Sequence, residues 1–408
     1  MDVRTIASTL LVFAGCAADG TADRTTGSSS NDLGIAEPTG AASQAAALRA
    51  ALQRNLDILH GDGVVGATGQ VRDGADRIAA SSGTARQDGP EPVPFDSEFR
   101  MGSDTKTFVA VVMLQLVDEG KVRLDDTVER WLPGVVAGNG NDGAKITIRN
   151  LLQHTSGLFN YTADLFAVFS IDDYYATRFR HYEPRQLVAV AVSHPPNFAP
   201  GTSWSYSNTN YILAGMIIKQ VTGREWSAEV GTRILAPLGL VHTFDPGDQP
   251  GLPPPHAVGY STIEWGQPLV DVTLYNHTWG GAAGSLVSTT GDLTQFWRAL
   301  QAGKLLSPAR MAEMHDTVPA TELAAVIPGI RDGLGVFWTP TRCGGYWNHL
   351  GDTFGFSTRD GVNDDGTRAV VAFRNTTLDS DDPAAQDPAL KLITDDLKLV
   401  EDVMCVGL

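Results

Sequence analysis

Apolar positions recur every three to four residues in AASQAAALRAALQRNLDIL (41–59) and in PALKLITDDLKLVEDVM (388–404). That spacing predicts an amphipathic helix near each end of the chain, with one face buried. Between them the period changes. GVVGATGQVRDG (63–74) and ADRIAASSGTA (75–85) predict two paired strands joined at Asp73-Gly74, because Asp-Gly is strong turn chemistry between extended runs. Late in the chain DGLGVFWT, YWNHLG, FGFST and TRAVVAFRN are short apolar runs of strand length. The middle, about residues 120–290, reads as helical stretches broken by Pro and Gly, including YILAGMIIKQVTG (211–223) and, at its end, TGDLTQFWRALQAGKLL (290–306). Strands at both ends with helices between predict an α/β (mixed) fold. Its sheet is completed by N- and C-terminal parts, and the inserted helical region leaves a cleft between the two.

One stretch does not fit a purely structural pattern. FRMGSDTKTFVAVVMLQLVDEG (99–120) is apolar on every helical face from Phe108 to Val117 and has Gly120 as its stop, which describes a buried helix. Ser103 stands where an N-cap belongs. Three residues on, where a capping box has Glu or Gln, stands Lys106. A cation there opposes the helix dipole at about 0.3–1 kcal/mol and adds a desolvation penalty. Chemistry offsets that cost. Residues at i and i+3 share a helix face, and a desolvated lysine can take the proton of a serine. A chain of this length contains about one Ser-x-x-Lys by chance; here Lys106 is the only lysine with a serine at that spacing.

Charge and cysteines narrow the context. The formal net charge of −17 in 408 residues argues against nucleic acid and anionic membrane surfaces as partners. The start MDVRTIASTLLVFAGC has an apolar run of signal-peptide length, and Phe13-Ala14-Gly15-Cys16 resembles a bacterial lipoprotein cleavage site. The expected organisation is therefore a leader over 1–16 with Cys16 as the lipidated residue, a flexible Gly/Ser/Thr-rich linker over 17–40, and one domain over 41–408. A lipid on Cys16 is the only membrane attachment expected. In an exported protein the remaining pair, Cys343 and Cys405, is expected to form a disulfide.

Further candidates follow the Ser-Lys pair. Tyr206-Ser207-Asn208 leads into the helix near Tyr211. There Tyr206 is placed to shuttle a proton, and Asn208 to hold Lys106 and a substrate amide. A tyrosine base requires neighbouring cations that lower its pKa from about 10. His349-Leu350-Gly351 offers a positive or hydrogen-bonding wall, with Gly351 admitting substrate to the backbone. The turn LLQHTSGL (151–158) reads as structural. No His-x-x-x-His pair, Gly-rich phosphate loop or Gly-x-Ser-x-Gly elbow occurs in the sequence, so neither metal nor cofactor is expected.

Ser103-x-x-Lys106, Tyr206-x-Asn208 and His349-x-Gly351, in that order, resemble the active-site serine penicillin-binding and β-lactamase-like hydrolases. The nearest likeness is to secreted D-alanyl-D-alanine carboxypeptidases of the class C β-lactamase-like branch, over about residues 45–407. The resemblance implies an antiparallel sheet flanked by helices plus an all-helical region. It also implies an exported hydrolase forming an acyl-enzyme at Ser103 with Lys106 as activator, Tyr206 as general acid and base, and Asn208 and His349 completing the network. The oxyanion donors are then the backbone N–H groups of Ser103 and Asp352, and Phe166 and Trp279 line the cleft. Cell-wall stem peptides and β-lactams are the implied ligands; the alternatives are an esterase or D-amino-acid amidase with an apolar pocket, a β-lactamase, or a penicillin-binding sensor that is acylated without turnover. Two positions depart from the pattern. Phe337 and Leu350 replace the arginine and threonine that grip a substrate carboxylate, so the pocket is expected to be more apolar and a free C-terminus less well recognised. Arg342 is the one nearby cation that could stand in.

Overall fold

A computed structural model describes residues 40–166, 170–263, 267–378 and 388–408. The leader, Cys16 and all but the last residue of the linker lie outside the described residues. Both predicted terminal helices form, as α1 (Gly40–Gly61) and α5 (Pro388–Met404). The hairpin forms as β1 (Gly66–Asp73) and β2 (Asp76–Gly83), turning at Gly74, whose φ of +56° suits glycine. Then come the helices α2 (Thr105–Asp118), α3 (Asn208–Thr222) and α4 (Thr290–Gln301). The late strands are β3 (Val318–Pro319), β4 (Arg331–Asp332), β5 (Phe337–Thr341), β6 (Gly344–Asn348), β7 (Leu350–Thr353), β8 (Phe356–Val362) and β9 (Arg368–Arg374).

These nine strands make one sheet in the order β2-β1-β9-β8-β6-β5-β4-β3, with β7 paired to β8 off that path. Every pairing in it is antiparallel. The central strand β9 is buried on both faces, and its period-two alternation divides the core. Val370 and Ala372 meet Leu48, Leu52 and Leu56 of α1 and Leu399, Val400 and Val403 of α5. Ala369, Val371 and Phe373 face the other way, toward α2 and α4. There Phe373 stacks on Phe99 at 4.1 Å and Phe108 of α2 on Phe296 of α4 at 3.8 Å. The result is three layers, helices on both faces of an antiparallel sheet.

Two expectations need correction. Helices in the middle region stop at Leu238; the described residues from 239 to 289 hold only short strands and 3₁₀ turns. Nor is YWNHLG a single strand. The ladder breaks at His349, so β6 meets β8 only at Trp347–Val362 while β7 pairs with the first half of β8. At the break the Asp360 side chain accepts the His349 N–H at 2.9 Å, replacing the missing backbone partner.

Candidate active site

The short strand Phe99–Arg100, paired to Val287–Ser288, delivers the chain into a 3₁₀ turn, Gly102–Asp104, from which α2 departs. Ser103 caps nothing; neither the turn nor α2 has a side-chain cap bond at its start. From Met101 to Leu114 every residue except Ser103 is buried. Gly102 has φ +58°, and a Cβ on it would lie 2.8 Å from the backbone nitrogen of Asp352. Glycine is thus required by conformation and by the need to leave Asp352 uncovered. Gly102, Ser103 and Asp352 line one narrow pocket of about 40 Å³ with Tyr161, Asn208, His277 and Trp279.

Lys106 is fully buried beside Ser103. Its Nζ lies 2.9 Å from Ser103 Oγ, 2.7 Å from Asn208 Oδ1 and 2.7 Å from the Ala283 carbonyl. No carboxylate is among these partners. Burial holds its pKa well below the ordinary lysine range, against the opposing pull of Asp104 and Asp332. Both carboxyls are themselves pushed up by burial, so each is a weak counter-ion. A neutral amine matches the geometry: its two N–H groups donate to the two carbonyl oxygens, and its lone pair faces the Ser103 hydroxyl.

Tyr206 is hydrogen-bonded to Ser103, and burial, reinforced by Asp332, Asp104 and Asp352, raises its pKa despite that bond. Lys106 Nζ is 4.8 Å from its ring centre. Cations therefore do not make Tyr206 a phenolate here, and of the two candidate bases the electrostatics favour Lys106. Asn208 opens α3, and its backbone N–H donates to Asn160 Oδ1 at 3.1 Å.

His349 differs from its expectation. It is 2 % exposed, burial lowers its pKa to about 3, and its Nδ1 accepts the Leu350 N–H at 2.9 Å. It is a neutral, inward group and not a positive wall. Gly351 admits protein, not substrate: a Cβ there would lie 2.0 Å from the Met101 carbonyl and 2.4 Å from Asp104 Oδ2. The turn carrying the nucleophile presses on this glycine.

Phe166 and Trp279 meet edge-to-face at 5.0 Å and line a second pocket of about 220 Å³ with Tyr174, Tyr275 and Phe354. Trp279 borders both pockets. Phe337 and Leu350 line neither pocket; they pack with Trp204, Ile327, Ile330 and Tyr206 in an apolar cluster behind the tyrosine. Arg342 pairs with Glu401 at 3.0 Å and Asp402 at 3.1 Å. It stands next to the Cys343–Cys405 disulfide, which the structure contains with the Cα atoms 5.6 Å apart, so it does not replace the missing arginine.

Some supporting residues gave no sequence signal. The turn at 151–158 is structural, as expected, yet it builds the site. His154, at φ +54°, accepts the N–H of Ser207 and a proton of Asn210 Nδ2, both at 3.1 Å, and its ring lies 4.3 Å from that of Tyr206. Burial holds it neutral. Asp352 is clamped by Arg359 at 3.1 and 3.2 Å and by the Ser357 hydroxyl, which fixes the strand bearing its N–H. Among the described residues no cluster has a metal-binding set of ligands, and no helix is long and apolar enough to cross a membrane.

The β-lactamase family model matches residues 49–394, and the chain belongs to this family, the class of serine penicillin-binding and β-lactamase-like hydrolases that share this sheet-and-helix fold. Among solved structures, a D-stereospecific amidohydrolase from Streptomyces sp. is 42 % identical, with a TM-score of 0.76 over 80 % of this chain and 94 % of that one. A D-amino acid amidase from Ochrobactrum anthropi, in complex with L-phenylalanine amide, is 28 % identical, with a TM-score of 0.73 over 88 % and 98 %. Among curated proteins, esterase EstB of Burkholderia gladioli is 32 % identical over 50 % of this chain and 53 % of its own length. Penicillin-binding protein 4 of Amycolatopsis lactamdurans is 34 % identical over 36 % of each. The chain thus aligns with about a third to a half of the length of these curated relatives.

Proposed function

We propose that this protein is a serine hydrolase that forms an acyl-enzyme with amides or esters of D-amino acids carrying apolar or aromatic side chains. The observation that carries the chemistry is Lys106, buried without a carboxylate partner and aimed at Ser103 Oγ from 2.9 Å. In this reading the Lys106 lone pair takes the Ser103 proton as Oγ attacks the carbonyl carbon. The developing oxyanion is received by the N–H groups of Ser103 and Asp352. Tyr206, a neutral phenol, protonates the leaving nitrogen and regains a proton from the Lys106 ammonium. Water then attacks the acyl ester, and its proton passes through the same groups to Ser103 Oγ as the carbon–Oγ bond breaks, releasing the acid and the free serine.

The substrate class rests on the pockets and the relatives. The pocket of Phe166, Tyr174, Tyr275, Trp279 and Phe354 adjoins the Ser103 pocket at Trp279; its aromatic residues suit an apolar side chain, while Asp164, Asp173, Arg178 and Arg180 also line it. The amidohydrolase and amidase likenesses support D-configured amides. The D-alanyl-D-alanine carboxypeptidase reading has weaker support. The residues at the arginine and threonine positions of that pattern, Phe337 and Leu350, pack in the apolar cluster with Tyr206 and offer a carboxylate no charge or hydroxyl, and Arg342 is held by Glu401 and Asp402. Export is part of the proposal, supported by the leader-like Met1–Cys16 segment and the disulfide.

The test is kcat/KM for D-phenylalanine amide, its L isomer and a peptide ending in D-alanyl-D-alanine. The D-amide is expected to exceed both by about tenfold or more. Preference for the peptide restores the carboxypeptidase reading, and preference for the L isomer overturns the stereochemical one.

A further inference from the structure

Asp104, directly after the nucleophile, has no place in the chemistry above, and its surroundings are unusual. It is 1 % exposed, and no donor from another residue reaches either of its carboxyl oxygens. The group it faces is a second buried carboxyl, Asp360 of β8. Asp360 differs sharply. Its Oδ1 accepts the His349 N–H at 2.9 Å and its Oδ2 accepts Trp297 Nε1–H at 2.6 Å. The other charged groups around Asp104 are Arg359, Asp352 and Lys106. Arg359 is engaged elsewhere, on Asp352 at 3.1 Å and Asp396 at 3.6 Å.

Two carboxylates facing each other in a dry site cannot both ionise. A carboxylate is stabilised by N–H donors, and only Asp360 has them. We propose that Asp104 and Asp360 share one proton, carried on Asp104 and donated to Asp360, and that this pair is a positioning device pinning the Ser103 turn to the sheet. The pin ends where it matters. Asp104 Oδ2 lies against Gly351, next to Asp352, and Asp360 holds the strand break at His349. Burial and the facing carboxyl both raise the Asp104 pKa, which agrees. The proton also serves Lys106: an ionised Asp104 would favour the ammonium and so work against a lysine base.

The inference rests on Ser103 as nucleophile for its meaning, but its first test does not. Infrared spectra of wild-type protein with ¹³C-labelled aspartate side chains should show a protonated-carboxyl C=O band at neutral pH. The band should shift with the label, and Asp104→Asn should remove one component of it, the buried Asp332 carboxyl accounting for any that stays. A folded wild type with no such band, or a band that Asp104→Asn leaves intact, overturns the proposal, whatever the enzyme hydrolyses. The second test uses turnover of an activated ester. Asp104→Ala should lower kcat about 30-fold with KM within about twofold, and Asp104→Asn should recover most of that loss with the acid limb of the pH profile unmoved. If Asp104→Asn is as impaired as Asp104→Ala, or moves the acid limb by a unit, Asp104 is an ionised partner of Lys106 and the shared proton is refuted.

Discussion

The two faces of the central sheet solve opposite problems with the same strands. On one, α1 and α5 cover β1, β2 and β9 with leucine, valine and alanine. On the other, besides the apolar packing of Phe99, Phe108, Phe296 and Phe373, the chain buries Lys106, Asp104 and Asp360. The first face lowers the free energy at every contact. The second carries ionisable groups that cost desolvation energy unless they are neutralised or hydrogen-bonded. What differs is the purpose of the burial: on one side it stabilises the domain, on the other it favours a neutral amine at Lys106 and a protonated carboxyl at Asp104, at a cost in stability.

Substitutions on the two faces should therefore separate activity from stability. Lys106→Met is the largest expected effect: turnover falls about 10³-fold or more. Stability should move the other way. The folded lysine pKa lies below its unfolded value of about 10.4, so below that pH the unfolded chain binds a proton that the folded one does not, and wild-type stability declines as pH falls toward the depressed folded pKa. Denaturant melts at pH 7 should show Lys106→Met more stable by about 1 kcal/mol or more, with a flatter dependence on pH between 10 and 7. A destabilised Met variant would mean that Lys106 is a paired ammonium. For the same reason wild-type kcat/KM should rise with pH through the depressed lysine pKa and then level off. On the opposite face, Leu52→Ala removes a fully buried side chain packed against Gly69. It should cost about 2–5 kcal/mol and leave kcat nearly unchanged. A kcat change as large as that of Lys106→Met would join the faces that the comparison separates.

The same contrast explains what was legible in the sequence. The terminal-helix face was, because α1, α5 and β1–β2 obey simple periods, although Asp396 of α5, buried against Arg374 and Arg359, is a departure that those periods do not show. Ser103 and Lys106 were legible because a cation three residues after a helix-start serine violates capping chemistry. Tyr206 and Asn208 were legible through motif order. The break at His349 was not, since YWNHLG satisfies a strand pattern and the break depends on Asp360, eleven residues away. His154 was hidden for a similar reason: its role is set by Ser207 and Asn210 from a distant segment. Phe337 and Leu350 were assigned to the substrate wall by position, but β5 and β7 turn them into the cluster behind Tyr206. Tertiary partners decide such roles, and periodicity carries no information about them.

The most direct test of the central claim is an intact-mass time course with an acylating ester or β-lactam, followed by peptide mapping, on wild type, Lys106→Ala and Ser103→Ala. The account predicts one acyl group on Ser103 in wild type, formation slowed by about 10³-fold in Lys106→Ala, and none in Ser103→Ala. An adduct that forms at wild-type rate without Lys106, or on a residue other than Ser103, would contradict it.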